Sequence, residues 1–105
     1  MPGLLLILCE AGTERFAAAI EVAAVTAALD RPVRVLLRGP LVRALGQPVV
    51  AKACDLLFEL GADVAICQTA MAANGLSAAD LPPGIEAHGM TGFLAGREDW
   101  QLLIL

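Results

Sequence analysis

The sequence predicts an α/β domain built on a mainly parallel sheet of about five strands, and three observations carry that expectation. Short apolar runs alternate with helical patterns along the whole chain. The first run is apolar at every position, as a strand covered on both faces must be, where a half-exposed strand would alternate. No linker, low-complexity stretch or internal repeat interrupts the pattern, so residues 1 to 105 are expected to form a single domain, too short for two independent cores.

Residues 4 to 9, LLLILC, make the first strand, and their uniform apolarity places it centrally in the sheet. Thr13 followed by Glu14 opens a helix that runs to Leu29, where Asp30-Arg31-Pro32 stops it. On this helix Phe16, Ile20, Ala23 and Ala27 form one apolar stripe, and Val22, Val25 and Leu29 form a second on another side. One stripe packs on the sheet; the other is expected to meet a partner subunit. Residues 33 to 37 make the second strand. Arg34 interrupts it and Arg38-Gly39-Pro40 ends it, which predicts an edge position.

Residues 40 to 48 read as a loop with one helical turn, after which Pro48 suits the first position of a helix reaching Leu60 and closing on Gly61. Lys52, Asp55 and Glu59 share its polar face, Val50, Ala53, Leu57 and Leu60 its apolar one, and Cys54 borders the latter as a small core hydrophobe. Residues 63 to 66 make the third strand, and Thr69 is suited to cap a short helix ended by Asn74-Gly75. Ser77 and Asp80 have capping-box spacing, Pro82-Pro83-Gly84 is a turn, and residues 85 to 87 are a short fourth strand. His88-Gly89 leads into a helix ending at Gly96, and residues 100 to 105 form the last strand.

Hydrophobic residues make up 58% of the chain and the mean hydropathy is +0.74, yet Phe16, Phe58, Phe93 and Trp100 are its only aromatic side chains. The interior must be aliphatic and rich in alanine. A domain this small buries only part of so much apolar surface, which predicts a homo-oligomer. No apolar run approaches the roughly 18 residues of a membrane-spanning helix, and the alanine-rich stretch 16 to 29 carries Glu21. The opening MPGLLLILCE has no basic segment before its apolar run, and Leu8 ahead of Cys9 does not fit a lipoprotein signal. A cytoplasmic protein without a membrane span is expected. A formal net charge of −4 and a pI near 4.7 oppose nucleic-acid binding, which needs a basic footprint. Arg31, Arg34, Arg38 and Arg43 read as solvated charges of an edge strand and loop.

Chemistry is sought next in the three cysteines, Cys9, Cys54 and Cys67. They fit neither CxxC nor, with the lone His88, a zinc set, so neither a metal nor a cofactor is expected. A reducing compartment disfavours a disulfide framework, leaving buried inert thiols or one reactive thiol. Parallel strands present their C-terminal ends on one edge, where open α/β folds place their sites, and Cys9, Glu10, Arg38, Cys67 and His88 all fall there. Cys67 also precedes a helix, whose free N–H groups and dipole favour a thiolate. A thiol pKa lowered by one unit from about 8.5 gives nearly ten times more thiolate at neutral pH. Glu10 opposes a thiolate at its neighbour Cys9. On residue type and position, Cys67 is either packing at the end of a buried strand or a nucleophile, and His88 either a solvated loop side chain or a base across the edge. Met71 and Met90 read as core or pocket lining. The EAGTER segment after the first strand lacks GxGxxG and GxxxxGK[ST], and Glu10 would repel phosphate.

The run CQTAMAANGLSAADLPPGIEAHGMTGFL, residues 67 to 94, resembles the DsrE/DsrF-like sulfur-relay family. That family tends to show a cysteine closing the third strand, small residues and a methionine after it, a glycine before a short acidic turn, and a Gly-rich helix start. Cys67, Thr69, Met71, Gly75, Asp80, Gly84, Gly89 and Leu94 stand at matching places. His88 stands where the family often has an apolar or small residue. The resemblance implies a three-layer α/β/α domain assembling as trimers or hexamers, with Cys67 carrying sulfur as a persulfide between donor and acceptor proteins. Gln68 and Thr69, with nearby backbone N–H groups, would stabilise the anion, and His88, Gly89 and Met90 would complete the pocket. Two other readings stand beside it: a non-catalytic oligomeric binding module using the same edge, and a thiol redox sensor with Cys9 resolving Cys67.

Overall fold

Every strand of the sheet runs parallel to its neighbours. The computed structural model describes residues 2 to 105. Its strands are β1 (Leu4–Leu8), β2 (Val33–Leu37), β3 (Asp63–Cys67), β4 (Glu86–His88) and β5 (Gln101–Ile104), in the order β4-β3-β2-β1-β5. Between them lie helices α1 (Glu14–Ala28), α2 (Pro48–Glu59), α3 (Gln68–Ala73) and α4 (Met90–Leu94), with 3-10 turns at Gly39–Ala44 and Ala78–Asp80. The architecture is three-layered α/β/α, as the resemblance implied.

Local chemistry sets the helix ends. The Thr13 hydroxyl accepts from the backbone N–H of Phe16 at 3.1 Å, satisfying one of the unpaired donors that open α1. Asp30 stops that helix in a left-handed conformation with φ 63°, and Pro32 excludes its continuation. Pro48 opens α2, where its missing N–H removes no helical bond, and Gly61 adopts φ 84° beyond the end.

The chain direction assigns the helices to faces. The connections β1-α1-β2 and β2-α2-β3 progress the same way across the sheet, so right-handed crossovers put α1 and α2 on one face, where they pack on each other and on β1 to β3. The connection through α4 returns across the sheet from β4 to β5, placing α4 on the opposite face. On α1, Phe16, Ala23 and Ala27 are buried and Ile20 is partly buried, while Val22, Val25 and Leu29 are exposed, Leu29 to 68%. Val50, Ala53, Cys54 and Leu57 of α2 face the core as expected; Leu60 reaches only its margin.

One expectation about the sheet is overturned. β2 is the middle strand, not an edge, and Arg34 is 9% exposed. The side chain is long enough to leave the core. Its Nη1 donates to the Phe93 carbonyl at 3.2 Å, its guanidinium lies 5.5 Å from the centre of the Phe93 ring, and its Nε is 3.9 Å from the Asp63 carboxylate. A charge with that many partners is compatible with a central strand. The edges are β4 and β5. Strand ends also shift: Cys9 lies beyond β1, β3 takes in Cys67, β4 begins at Glu86 rather than 85, and β5 is shorter than residues 100 to 105. Among the described residues no helix is long and apolar enough to cross a membrane.

Candidate functional site

The last residue of β3 is also the N-cap of α3. That residue is Cys67, with an extended backbone at φ −67°, ψ 122°. The cap position expected of Thr69 therefore belongs to Cys67, and Thr69 is an exposed residue inside the helix. The reason is local: Gln68 already takes helical geometry, so the switch from strand to helix occurs without an intervening loop.

Register brings the second residue in. Cys67 pairs with His88 across the β3–β4 ladder, and register partners of a parallel sheet point to the same face. By the same alternation Asp63, Ala65 and Cys67 share a face with Arg34, which Phe93 identifies as the α4 face. The His88 side chain is partly exposed, and its Nε2 lies 3.4 Å from Oε2 of Glu86, two residues earlier on the same strand. Its Nδ1 faces α4, where a Cβ on Gly92 would stand 3.9 Å from it. Gln68 reaches the same place, since a Cβ on Gly89 would meet Gln68 Oε1 at 3.6 Å. Gly89 caps α4 and half-buried Met90 begins it. Of the candidates, Cys67, Gln68, His88, Gly89 and Met90 thus converge at one end of the β3–β4 pair, while Thr69 lies on the exposed side of α3.

Access is limited. Cys67 is 4% exposed, so a reagent reaches its sulfur only through local opening. All three cysteines are free thiols. Cys54 is buried, and burial, with the Asp55 charge adding to it, pushes its thiol up to about 11. Cys9 follows β1, level with Cys67 but separated from it by β2. Two strand spacings put their Cα atoms roughly 9 to 10 Å apart, beyond the roughly 7 Å a disulfide spans, so an internal Cys9–Cys67 bridge needs backbone movement.

A cavity of about 310 Å³ opens beside the start of β3 and β4, lined by Arg34, Asp63, Ala65, Gly84, Glu86 and His88 among others. His88 borders it; Cys67 does not. Burial holds the Arg34 guanidinium below its ordinary value, nearby Arg97 lowers it further, and Asp63 and Glu86 act against both. Among the described residues no three His, Cys, Asp or Glu side chains are placed to hold a metal ion. Sequence reasoning missed two residues here, Arg34 and Glu86. The signal for Glu86 was its spacing, because residues two apart on a strand share a face and Glu86 stands two before His88.

No protein-family model matches the chain, and a comparison with curated protein sequences finds no match. In structure the chain is similar to MTH1491 of Methanobacterium thermoautotrophicum, a protein of unknown function, with TM-score 0.81, 19% identity and complete coverage of both chains. It is also similar to the ychN protein of E. coli, with TM-score 0.79, 17% identity and again complete coverage of both. The conserved protein of unknown function BT1422 of Bacteroides thetaiotaomicron matches 97% of this chain with 94% of its own, at TM-score 0.75 and 17% identity. At these identities the likeness establishes the fold alone, a three-layer α/β/α domain on a five-stranded parallel sheet.

Proposed function

We propose that this chain is a small cytoplasmic sulfur-relay protein of the DsrE/DsrF-like kind, carrying sulfane sulfur as a persulfide on Cys67. The observation that carries the reading is the position of Cys67, which ends a strand at the C-terminal edge of a parallel sheet and caps the helix that follows. The first N–H groups of α3 have no partners within the helix and start beside the cysteine, as donors for a group held there. The sequence likeness over residues 67 to 94 and the full-length likeness in fold support the same reading.

The chemistry is one exchange repeated. The Cys67 thiolate attacks the outer sulfur of a donor persulfide; the donor S–S bond breaks, its thiolate leaves and takes up the proton that Cys67 released, and Cys67 now bears the second sulfur. An acceptor thiol reverses the step. Gln68, Gly89 and the neighbouring backbone surround the group, and an exposure of only 4% at Cys67 shields a persulfide from oxidants between transfers. The exposed stripe on α1 is the surface on which we place a trimer or hexamer.

The test is intact-protein mass spectrometry after incubation with a sulfane-sulfur donor. Wild type should gain one sulfur, about 32 Da, reversibly with reductant, and Cys67→Ser none. A limiting alkylating reagent should label Cys67 before Cys9 or Cys54. If Cys67→Ser gains sulfur as readily as wild type, the relay reading fails. A non-catalytic oligomeric binding module then takes its place, a reading that the burial of Cys67 and the exposed α1 stripe favour.

A further inference from the structure

We propose that His88 is the base that takes the Cys67 proton and that Glu86 is the positioning residue that holds its imidazole for the purpose, an inference that rests on Cys67 being the reacting sulfur. Three features of the β3–β4 edge lead to it. Cys67 and His88 are register partners, so their Cα atoms stand about 4.8 Å apart and their side chains leave the sheet on the same face. The Glu86 carboxylate, 80% exposed and 3.4 Å from His88 Nε2, occupies the far nitrogen of the ring. The other ring nitrogen, Nδ1, lies on the α4 side of β4, the face onto which Cys67 also points, and is the one free to meet the thiol.

The surrounding charges leave this role to His88. From β2 comes Arg34 and from β3 Asp63, which face each other at 3.9 Å; Arg97, beyond α4, is a cation whose Nη1 donates to the Ala95 carbonyl. The helices add no charge, since α3 reads QTAMAA and α4 reads MTGFL. Glu10 and Arg38 stand at the same edge but beyond β1 and β2. His88 thus carries the one imidazole in register with the thiol.

In the transfer, the Cys67 S–H proton passes to Nδ1, the thiolate attacks the donor's outer sulfur, and the donor S–S bond breaks. The departing donor thiolate collects the proton from the imidazolium, which returns to neutral. No oxidant or reductant is consumed. Glu86 gains and loses no proton; it favours the imidazolium while that species exists.

The test follows the rate of Cys67 alkylation by iodoacetamide against pH, read by peptide mass spectrometry on the intact, folded protein. At about pH 6.5 wild type should react about fivefold faster than His88→Gln and than His88→Asn, because in the variants no imidazole takes up the thiol proton. At about pH 9.5 the three rates should agree within about twofold, since the thiol then ionises unaided. Glu86→Gln should lie between, about twofold slow at the lower pH, and that deficit should vanish in about 0.5 M salt, which screens an exposed pair. The reagent is kept dilute so that alkylation of the opened site limits the rate, and each protein's open fraction is read from its own rate at the higher pH. Equal rates at the lower pH overturn the proposal, and so does a deficit that persists at the higher pH, which marks a structural defect. Wild type that takes up no sulfur yet keeps the His88-dependent profile refutes the relay reading and leaves this one standing. Sulfur uptake with a profile indifferent to His88 does the reverse. A Cys67 that stays unlabelled even at the higher pH refutes both.

Discussion

On one face of the sheet α1 and α2 lie side by side and press Phe16, Ala23, Val50 and Leu57 into β1 to β3, whereas the other face is crossed by the five-residue α4, anchored by Phe93 at 0% exposure. The two-helix face is lined by apolar side chains, and among the described residues the one titratable group in its buried layer is the Cys54 thiol. The α4 face holds Arg34, Asp63, Glu86, Cys67 and His88. The difference follows from cover. A charged or protonatable side chain beneath two packed helices would be stranded, but beneath a single short helix it reaches water or a backbone carbonyl within one side-chain length. Thin cover is what makes that face a candidate for chemistry, and it concentrates the stability of the face on few residues.

The sharpest way to break this contrast is to remove the anchor. Phe93→Ala should cost about 3 to 5 kcal/mol in urea unfolding, since it deletes a fully buried ring beneath a single short helix. The ring also lies against the Arg34 guanidinium, and that contact goes with it. Leu57→Ala on the two-helix face should cost less, because neighbouring side chains of α1 and α2 relax into the space. Equal losses would mean that cover is not what distinguishes the faces.

The two faces were also unequally legible in the sequence. Most of the two-helix face could be read from periodicity: the spacing of Phe16, Ala23 and Ala27, the cap at Thr13, the proline at 48 and the burial of Cys54 all hold. The α4 face could not. Arg34 looked like the mark of an edge strand because a pattern rule scores the charge and ignores the length of the stem that carries it past the core to the Phe93 carbonyl. Thr69 looked like a cap because its residue type suits one, yet the turn into α3 begins two residues earlier, where the cap carries no suitable oxygen. Cys67 and His88 were found from their places at strand ends. Their pairing, and the role of Glu86 beside them, depended on a register that the sequence of a three-residue edge strand does not specify.

A smaller effect tests how well the two-helix face is sealed. The Cys54 thiol is raised from 9.0 to about 11 in the folded chain, so between those values the unfolded chain has released a proton that the folded chain keeps. Stability from this group is intact below pH 9.0 and is lost as pH rises toward 11. The loss should reach about 1 to 2 kcal/mol, and Cys54→Ala should flatten it, read as the difference between the two proteins in urea titrations at each pH. A slope shared equally by the variant would show that Cys54 is not sealed.

The smallest expected change in folding comes from the outer side of the same two-helix layer. Val25 is 53% exposed in the single chain and lies between Val22 and Leu29 on α1, so Val25→Glu removes little buried contact. Its unfolding free energy should stay within about 0.5 kcal/mol of wild type for the isolated chain, as for other surface positions. Its assembly should not stay the same. If the stripe is where copies meet, the substitution buries an unpaired carboxylate in each contact, a far larger penalty than anything it does within the fold. Light scattering at micromolar concentration should then show wild type as a trimer or hexamer and the variant as smaller species. A monomeric wild type would remove the assembly from the proposed function altogether. An unchanged mass in the variant would instead move the contact off α1, toward the exposed Leu102 and Ile104 of β5, on the α4 face. The thin cover of that face would then be completed by a neighbouring copy, and the contrast between the faces would belong to the isolated chain rather than to the assembled protein.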